Sequence, residues 1–146
     1  MARLLAELRN WFGREEPSDA SLLTSVQRLI EDPSVEYLLG ASREGEDPVG
    51  VCQLRFRWGV WHSAEDCWLE DLFVREQARG CGVGAALGRA AIARARERGC
   101  ARVELDVSET NRTALTVYEG LGFSSESGRA GERNLLMRLP LGRFSP

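Results

Sequence analysis

Apolar residues recur at helical spacing near the start of the chain. Leu4, Leu5, Leu8, Trp11 and Phe12 share one face of a helix that Gly13 stops. Glu15 to Asp19 reads as a loop. Leu22, Leu23, Val26, Leu29 and Ile30 then mark a second helix from Ala20 to Glu31, ended by Asp32-Pro33. The period next falls to two. Val35 to Ala41, Val49 to Trp58 and Cys67 to Val74 read as strands. In the second, Val51, Gln53, Arg55 and Arg57 alternate with Cys52, Leu54, Phe56 and Trp58. Glu44 to Pro48 is a turn, and Trp61-His62-Ser63 falls in the next connection. Both connections are too short for crossovers, so the three strands form an antiparallel meander.

The helical period then returns. Val83, Leu87, Ala90, Ala91 and Ala95 form a stripe, and Gly99 stops the helix. Val103, Leu105 and Val107 alternate as a fourth strand, and a strand–helix–strand unit predicts a parallel crossover. Asn111 caps a short helix through Glu119, closed by Gly120. Leu121-Gly122-Phe123 and Arg133 to Leu139 read as two final strands. No linker divides the chain. The expectation is one domain over 1–146, of α/β (α+β) class, with a mixed central sheet.

Composition narrows the function. A chain of 146 residues can bury one sizeable core, and 43% apolar with 28% charged residues is a globular balance. A net charge of −3 argues against nucleic acid as partner. No apolar run approaches the ~18 residues of a membrane span. The first residues carry Arg3 and Glu7 where a signal peptide needs an apolar run, which predicts a cytoplasmic protein. The sequence holds no Lys, which excludes a catalytic Lys and a phosphate-loop Lys. Cys52, Cys67, Cys81 and Cys100 show no metal-like spacing and read as reduced thiols; with a single His62, no metal is expected.

The stretch Arg79-Gly80-Cys81-Gly82-Val83-Gly84 opens the third helix. Glycines there let backbone N–H groups approach an anion, and the helix N-terminus adds partial positive charge. That suits a phosphate or pyrophosphate. A dinucleotide fingerprint competes, because Gly80, Gly82 and Ala85 fit G-x-G-x-x-A, with Asp106 downstream. Five residues, Arg75 to Arg79, separate the strand from the first glycine, whereas that fold puts the glycine at the strand's end.

Three ordered blocks together resemble the GNAT superfamily of N-acetyltransferases. Leu69 to Val74 resembles the family's central strand. Arg79 to Gly84 is similar to its R/Q-x-x-G-x-G/A pyrophosphate loop. Asn111, Ala114, Tyr118 and Gly122-Phe123 are similar to its N-x-x-A-x-x-x-Y-x-x-x-G-F segment. The resemblance implies a three-layer GNAT-like fold. One departure is that the family usually begins with a strand, whereas this chain opens on a helix.

The resemblance also implies chemistry. Acetyl-CoA would be the donor and a small, cationic primary amine the acceptor, which attacks directly in a ternary complex; a homodimer is a further expectation. Backbone N–H groups from Gly80 through Cys81, Gly82, Val83 and Gly84 to Ala85 would hold the pyrophosphate. Leu72, Phe73 and Val74 would pair with the pantetheine arm, with the Val74 N–H polarising the thioester carbonyl. Arg79, Asn111, Ala114 and Tyr118 complete the expected cofactor contacts. Tyr118 would be the general acid toward the CoA thiolate, and Glu70 the base, by likeness to polyamine-type members with the same L-E-D stretch. Consecutive strand residues face opposite sides, so only one of Glu70 and Asp71 is expected to face the cleft. Trp11, Phe12, Glu15, Glu16 and Glu65-Asp66 are candidate walls for a cationic acceptor. An acyl-CoA sensor without turnover and a protein or peptide N-acetyltransferase are the alternatives.

Overall fold

The computed structural model describes residues 1–125 and 136–139, in two compact units, Met1–Val107 and Ser108–Pro146. In the first, α1 (Ala2–Trp11) and α2 (Asp19–Ile30) form where the apolar spacing predicts. The Ser18 Oγ caps α2 by accepting from the Ser21 N–H. The strands are β1 (Val35–Gly40), β2 (Gly50–Gly59), β3 (Ala64–Val74) and β4 (Arg102–Glu104), in spatial order β1-β2-β3-β4. The first three form the expected antiparallel meander. β4 lies parallel to β3 after the crossover through α3 (Val83–Glu97). No strand precedes α1 among the described residues.

The sheet carries helices on both faces. On one face Leu4, Leu5 and Leu8 of α1 and Val26 of α2 pack against Val51 and Phe73, with Tyr37 at the edge of the cluster. On the other, Val83 and Leu87 of α3 rest on Gly40 and Gly50. A Cβ at Gly40 would lie 3.0 Å from Val83 Cγ1. One at Gly50 would lie 3.0 Å from Leu87 Cδ1 and 3.1 Å from the Phe73 carbonyl oxygen. The two glycines therefore set how closely the start of α3 approaches the sheet. Gly50→Ala meets rigid backbone as well as a side chain, so it should destabilise by about 1–3 kcal/mol, as overpacking does. The check is a thermal melt: Tm should fall by several degrees, and an unchanged Tm would show that α3 can shift outward freely.

The fourth strand is shorter than its alternation predicts. Pairing with β3 runs only from Asp66↔Arg102 to Trp68↔Glu104, and Leu105 and Val107 lie outside it. The cause is local: β3 bulges at Glu70, between Gln53↔Asp71 and Leu54↔Leu69. A bulge bends its strand and ends a ladder.

The second unit holds α4 (Arg112–Gly120). Asn111 caps it as expected, its Oδ1 accepting from the Ala114 N–H at 3.2 Å. The expected strand at Leu121-Gly122-Phe123 is instead the helix's C-terminal turn. Gly120 belongs to the helix, and Gly122, at φ +92°, is the residue that ends it. The Phe123 N–H donates to the Tyr118 carbonyl (3.0 Å) and the Gly122 N–H to that of Glu119 (2.9 Å), which is a Schellman motif. Of the expected strand from Arg133 to Leu139, residues 133–135 lie outside the described residues and 136–139 carry no strand.

Candidate functional site

The glycine loop joins β3 to α3 through a short 3-10 turn, Glu76–Ala78. Arg79 holds the loop to the strand. Its Nε donates to the Val74 carbonyl at 3.0 Å, and its guanidinium lies over the rings of Trp11 and Phe73, 5.7 and 5.9 Å from their centres. Gly80 and Gly82 take φ of +77° and +83°, a conformation that side chains disfavour. A Cβ at either would have no described residue within 4 Å. The backbone there is bare and open. The Ala86 N–H is the first to close a helical bond, to the Gly82 carbonyl at 2.9 Å. The N–H groups of Val83, Gly84 and Ala85 thus precede the helical ladder and have no partner within it. With the dipole of a 15-residue helix behind them, amides so placed favour an anion. Cys81 is exposed in this loop.

Beside the loop, β3 has an open edge. From Leu69 to Val74 it has no strand partner on the β4 side among the described residues. The Arg75 N–H donates to the Val49 carbonyl at 2.9 Å, which fixes the alternation of bonds. Phe73 and Arg75 bond toward β2, so the N–H groups of Leu72 and Val74 point off the open edge. A Cβ at Gly84 would sit 3.7 Å from Val74 Cγ2 and 3.8 Å from Leu72 Cδ2, which brings the first turn of α3 over that edge. The end of β3 is clamped by a two-bond fork from Arg75 to Glu7 of α1, at 2.7 and 2.8 Å. That fork holds the Glu7 carboxyl below its ordinary range.

The bulge changes the side-chain geometry expected at Glu70 and Asp71. Asp71 pairs with Gln53, and Trp68 pairs with Arg55. Gln53 and Arg55 share a face of β2, so Trp68 and Asp71, three residues apart, share a face too. Glu70 turns to that face as well, because its Oε2 meets Arg55 Nε at 3.6 Å. Both carboxylates therefore lie on the α1 side of the sheet, and the expectation that only one could do so is corrected. Their environments differ. The Glu70 side chain is 43% exposed and ion-paired. Asp71 is mostly buried and accepts no hydrogen bond from another described residue. Burial pushes its carboxyl above the usual range, Glu70 and Asp106 push the same way, and Arg55 partly offsets them. The neighbouring Tyr37 hydroxyl donates to Gln53 Oε1 at 2.9 Å. Burial and the charge of Asp71 raise that phenol as well.

In the second unit both ends of α4 fix Tyr118. Asn111 sets its start, and the Gly122-Phe123 turn sets its end. Phe123 packs its ring edge-on against Tyr118, 5.7 Å between centres and 68° apart in plane. Tyr118 is 9% exposed. The Asn, Tyr and Gly-Phe positions of the segment are thus parts of one device that orients a tyrosine. Ala114 has its N–H taken by the Asn111 cap.

Other expected wall residues divide. Glu65 is bonded to Arg98, the residue that caps the end of α3 (3.0 and 3.1 Å), so it belongs to the opposite face. Asp66 is buried on the α1 side and held by Arg102 at 3.1 Å. Trp11 and Phe12 are half-exposed beside the loop, in edge-on contact. Burial pushes the Cys52 and Cys67 thiols up to about 12, which leaves them unreactive. No group of three or more His, Cys, Asp or Glu able to hold a metal occurs among the described residues, and no helix there is long and apolar enough to cross a membrane.

Comparison with known proteins agrees with this architecture. A crystal structure from Arthrobacter sp. FB24 superposes with a TM-score of 0.84 at 31% identity, covering 96% of this chain and 87% of that one. The thialysine N-epsilon-acetyltransferase of Bos taurus is 30% identical over 90 residues, 60% of this chain and 52% of the bovine protein. The Caenorhabditis elegans protein of the same name is 25% identical over 109 residues, 74% of this chain and 68% of its own length. The matched stretch thus spans about half of the bovine relative. A family model described as acetyltransferase (GNAT) family matches residues 3–123. With that match over most of its length, the chain belongs to the GNAT acetyltransferases.

Proposed function

We propose that this protein transfers an acetyl group from acetyl-CoA to a primary amine of a small cationic acceptor. The observation that carries the reading is the meeting of two features: three amides at the glycine-led start of α3 without a helical partner, and beside them the β3 edge, open among the described residues. A pyrophosphate fits the first, since no described residue comes within 4 Å of a Cβ built at Gly80 or Gly82. An extended amide-bearing arm fits the second, as an added strand would.

Acetyl-CoA, when bound, supplies an acetyl thioester open to attack by an amine. The Val74 N–H donates to the carbonyl oxygen as negative charge builds there, and so stabilises the transition state. The Tyr118 hydroxyl gives a proton to the departing sulfur. The two bulge carboxylates face the acceptor, with Glu70, at the exposed end, meeting its positive charge. The named activity of the thialysine relatives supports a small amine with a cationic or polar side chain.

The experiment is a measurement of CoA release with acetyl-CoA over thialysine, lysine, polyamines, aminoglycosides and peptides. Turnover on one or more small amines is expected. Tight acetyl-CoA binding with no turnover on any amine would make the protein a sensor. Turnover on peptides alone would make it a protein acetyltransferase.

A further inference from the structure

We infer that Asp71, rather than Glu70, accepts the proton that the acceptor ammonium must lose before it attacks, and that Glu70 serves to draw the cation in. The inference rests on the proposed amine acetylation and assigns a residue within it. It begins with the bulge, which turns both carboxylates to one face of the sheet. The two groups cannot do the same work. Glu70 is half in water and faces Arg55 at 3.6 Å. A solvated carboxylate at the surface is placed to attract a cation from water. Asp71 has the opposite surroundings: it is mostly buried, and no described residue donates a hydrogen bond to it. The nearest hydroxyl, that of Tyr37, is already bonded to Gln53.

Every element around Asp71 contributes. β1 brings Tyr37, β2 brings Cys52 and Arg55, β3 brings Glu70, and the segment after β4 brings Asp106. Burial, Glu70 and Asp106 all favour its protonated form, and Arg55 alone opposes them. A carboxylate raised in this way takes a proton more readily than one at its ordinary value. The step balances. The ammonium gives one proton to an Asp71 oxygen, which releases it to water. The nitrogen–carbon bond forms as the carbon–sulfur bond breaks. Tyr118 protonates the sulfur and regains the nitrogen's second proton.

The test is kcat/KM from about pH 6 to 9.5 for the parent, Asp71→Asn and Glu70→Gln, with a cationic amine that the parent acetylates. Acetyl-CoA binding by each variant reports that it is folded. Asp71→Asn should lower kcat/KM at pH 7 by roughly 10²-fold or more, with the deficit shrinking as the substrate loses its own proton at higher pH. A weakly basic amine, neutral at pH 7, should show little deficit. Glu70→Gln should mainly raise KM. Removing its negative charge should also let Asp71 ionise more easily, so the acid limb of the profile should move to lower pH. That shift is read on Glu70→Gln alone and stands even if Asp71→Asn does not fold. If the acid limb vanishes in Glu70→Gln, or if folded Asp71→Asn keeps the parent profile, the assignment is overturned. A parent that binds acetyl-CoA but acetylates no amine would instead sink the proposed function.

Discussion

Tyr118→Phe should lower kcat by roughly 10²- to 10⁴-fold, the range for loss of a general acid, while acetyl-CoA affinity stays nearly unchanged. The substitution removes one hydroxyl and almost no volume. The ring contact with Phe123 and the caps of α4 do not depend on that hydroxyl, so the helix should keep its geometry. On the proposed role of Tyr118, what is lost is the proton for the departing sulfur. A leaving group of lower basicity needs that proton less. An acetyl thioester of a more acidic thiol should therefore restore part of the rate in the mutant and little in the parent. The measurement is kcat for both proteins on both donors. A mutant that turns over at the parent rate reduces Tyr118 to a packing residue. A uniform loss with both donors would point to a positional role. Phe123→Ala makes a useful companion: it keeps the hydroxyl and removes the ring that orients it, so it should cost less than Tyr118→Phe but more than an exposed change on α4.

Much of the fold was legible because periodicity reports it directly. The Leu4–Leu8 stripe, the β2 alternation and the Val83–Ala95 stripe each predict an element within a few residues of its observed bounds. The glycine loop was legible as bare backbone opening α3, because glycines alternate there just before the helical stripe. Two features were not read, for different reasons. The bulge does leave a trace: the residues facing α3 run Cys67, Leu69, then Leu72 and Val74, so the two-residue period slips by one at Glu70-Asp71. The strand rule applied without that slip places the two carboxylates on opposite faces and hides Asp71. The Gly122-Phe123 turn reads as a strand because a short apolar pair beside glycine fits either. Only the positive φ of Gly122 and its hydrogen bonds decide for a helix cap. Electrostatic difference between Glu70 and Asp71 was beyond reach, since it comes from burial against other elements, not from the residues themselves.

Gly82→Asp should abolish tight acetyl-CoA binding without unfolding the protein, and the two effects can be separated. Gly82 sits at φ +83°, so any side chain there is strained, by ~1–2 kcal/mol for an ordinary residue and less for Asp or Asn. Its Cβ position is otherwise open, with no described residue within 4 Å. A carboxylate at the helix N-terminus also interacts favourably with the dipole and offsets part of that strain. The apoprotein should therefore melt close to the parent temperature. Toward a pyrophosphate the same carboxylate is an intruder. It competes for the amides of Val83, Gly84 and Ala85 and repels the ligand by about 1–4 kcal/mol per charge pair at contact, which is roughly five- to a thousandfold in affinity. Gly82→Asn is the control, because it has the same shape and the same tolerance of positive φ, but no charge. Binding should fall in the order Gly, Asn, Asp. The gap between Asn and Asp should narrow as salt rises, since partly exposed charges are screened. Calorimetric titration of acetyl-CoA, together with the ligand-induced rise in Tm, measures both quantities. If Asp binds as well as Asn at low salt, the anion is not held at the start of α3, and the loop assignment falls.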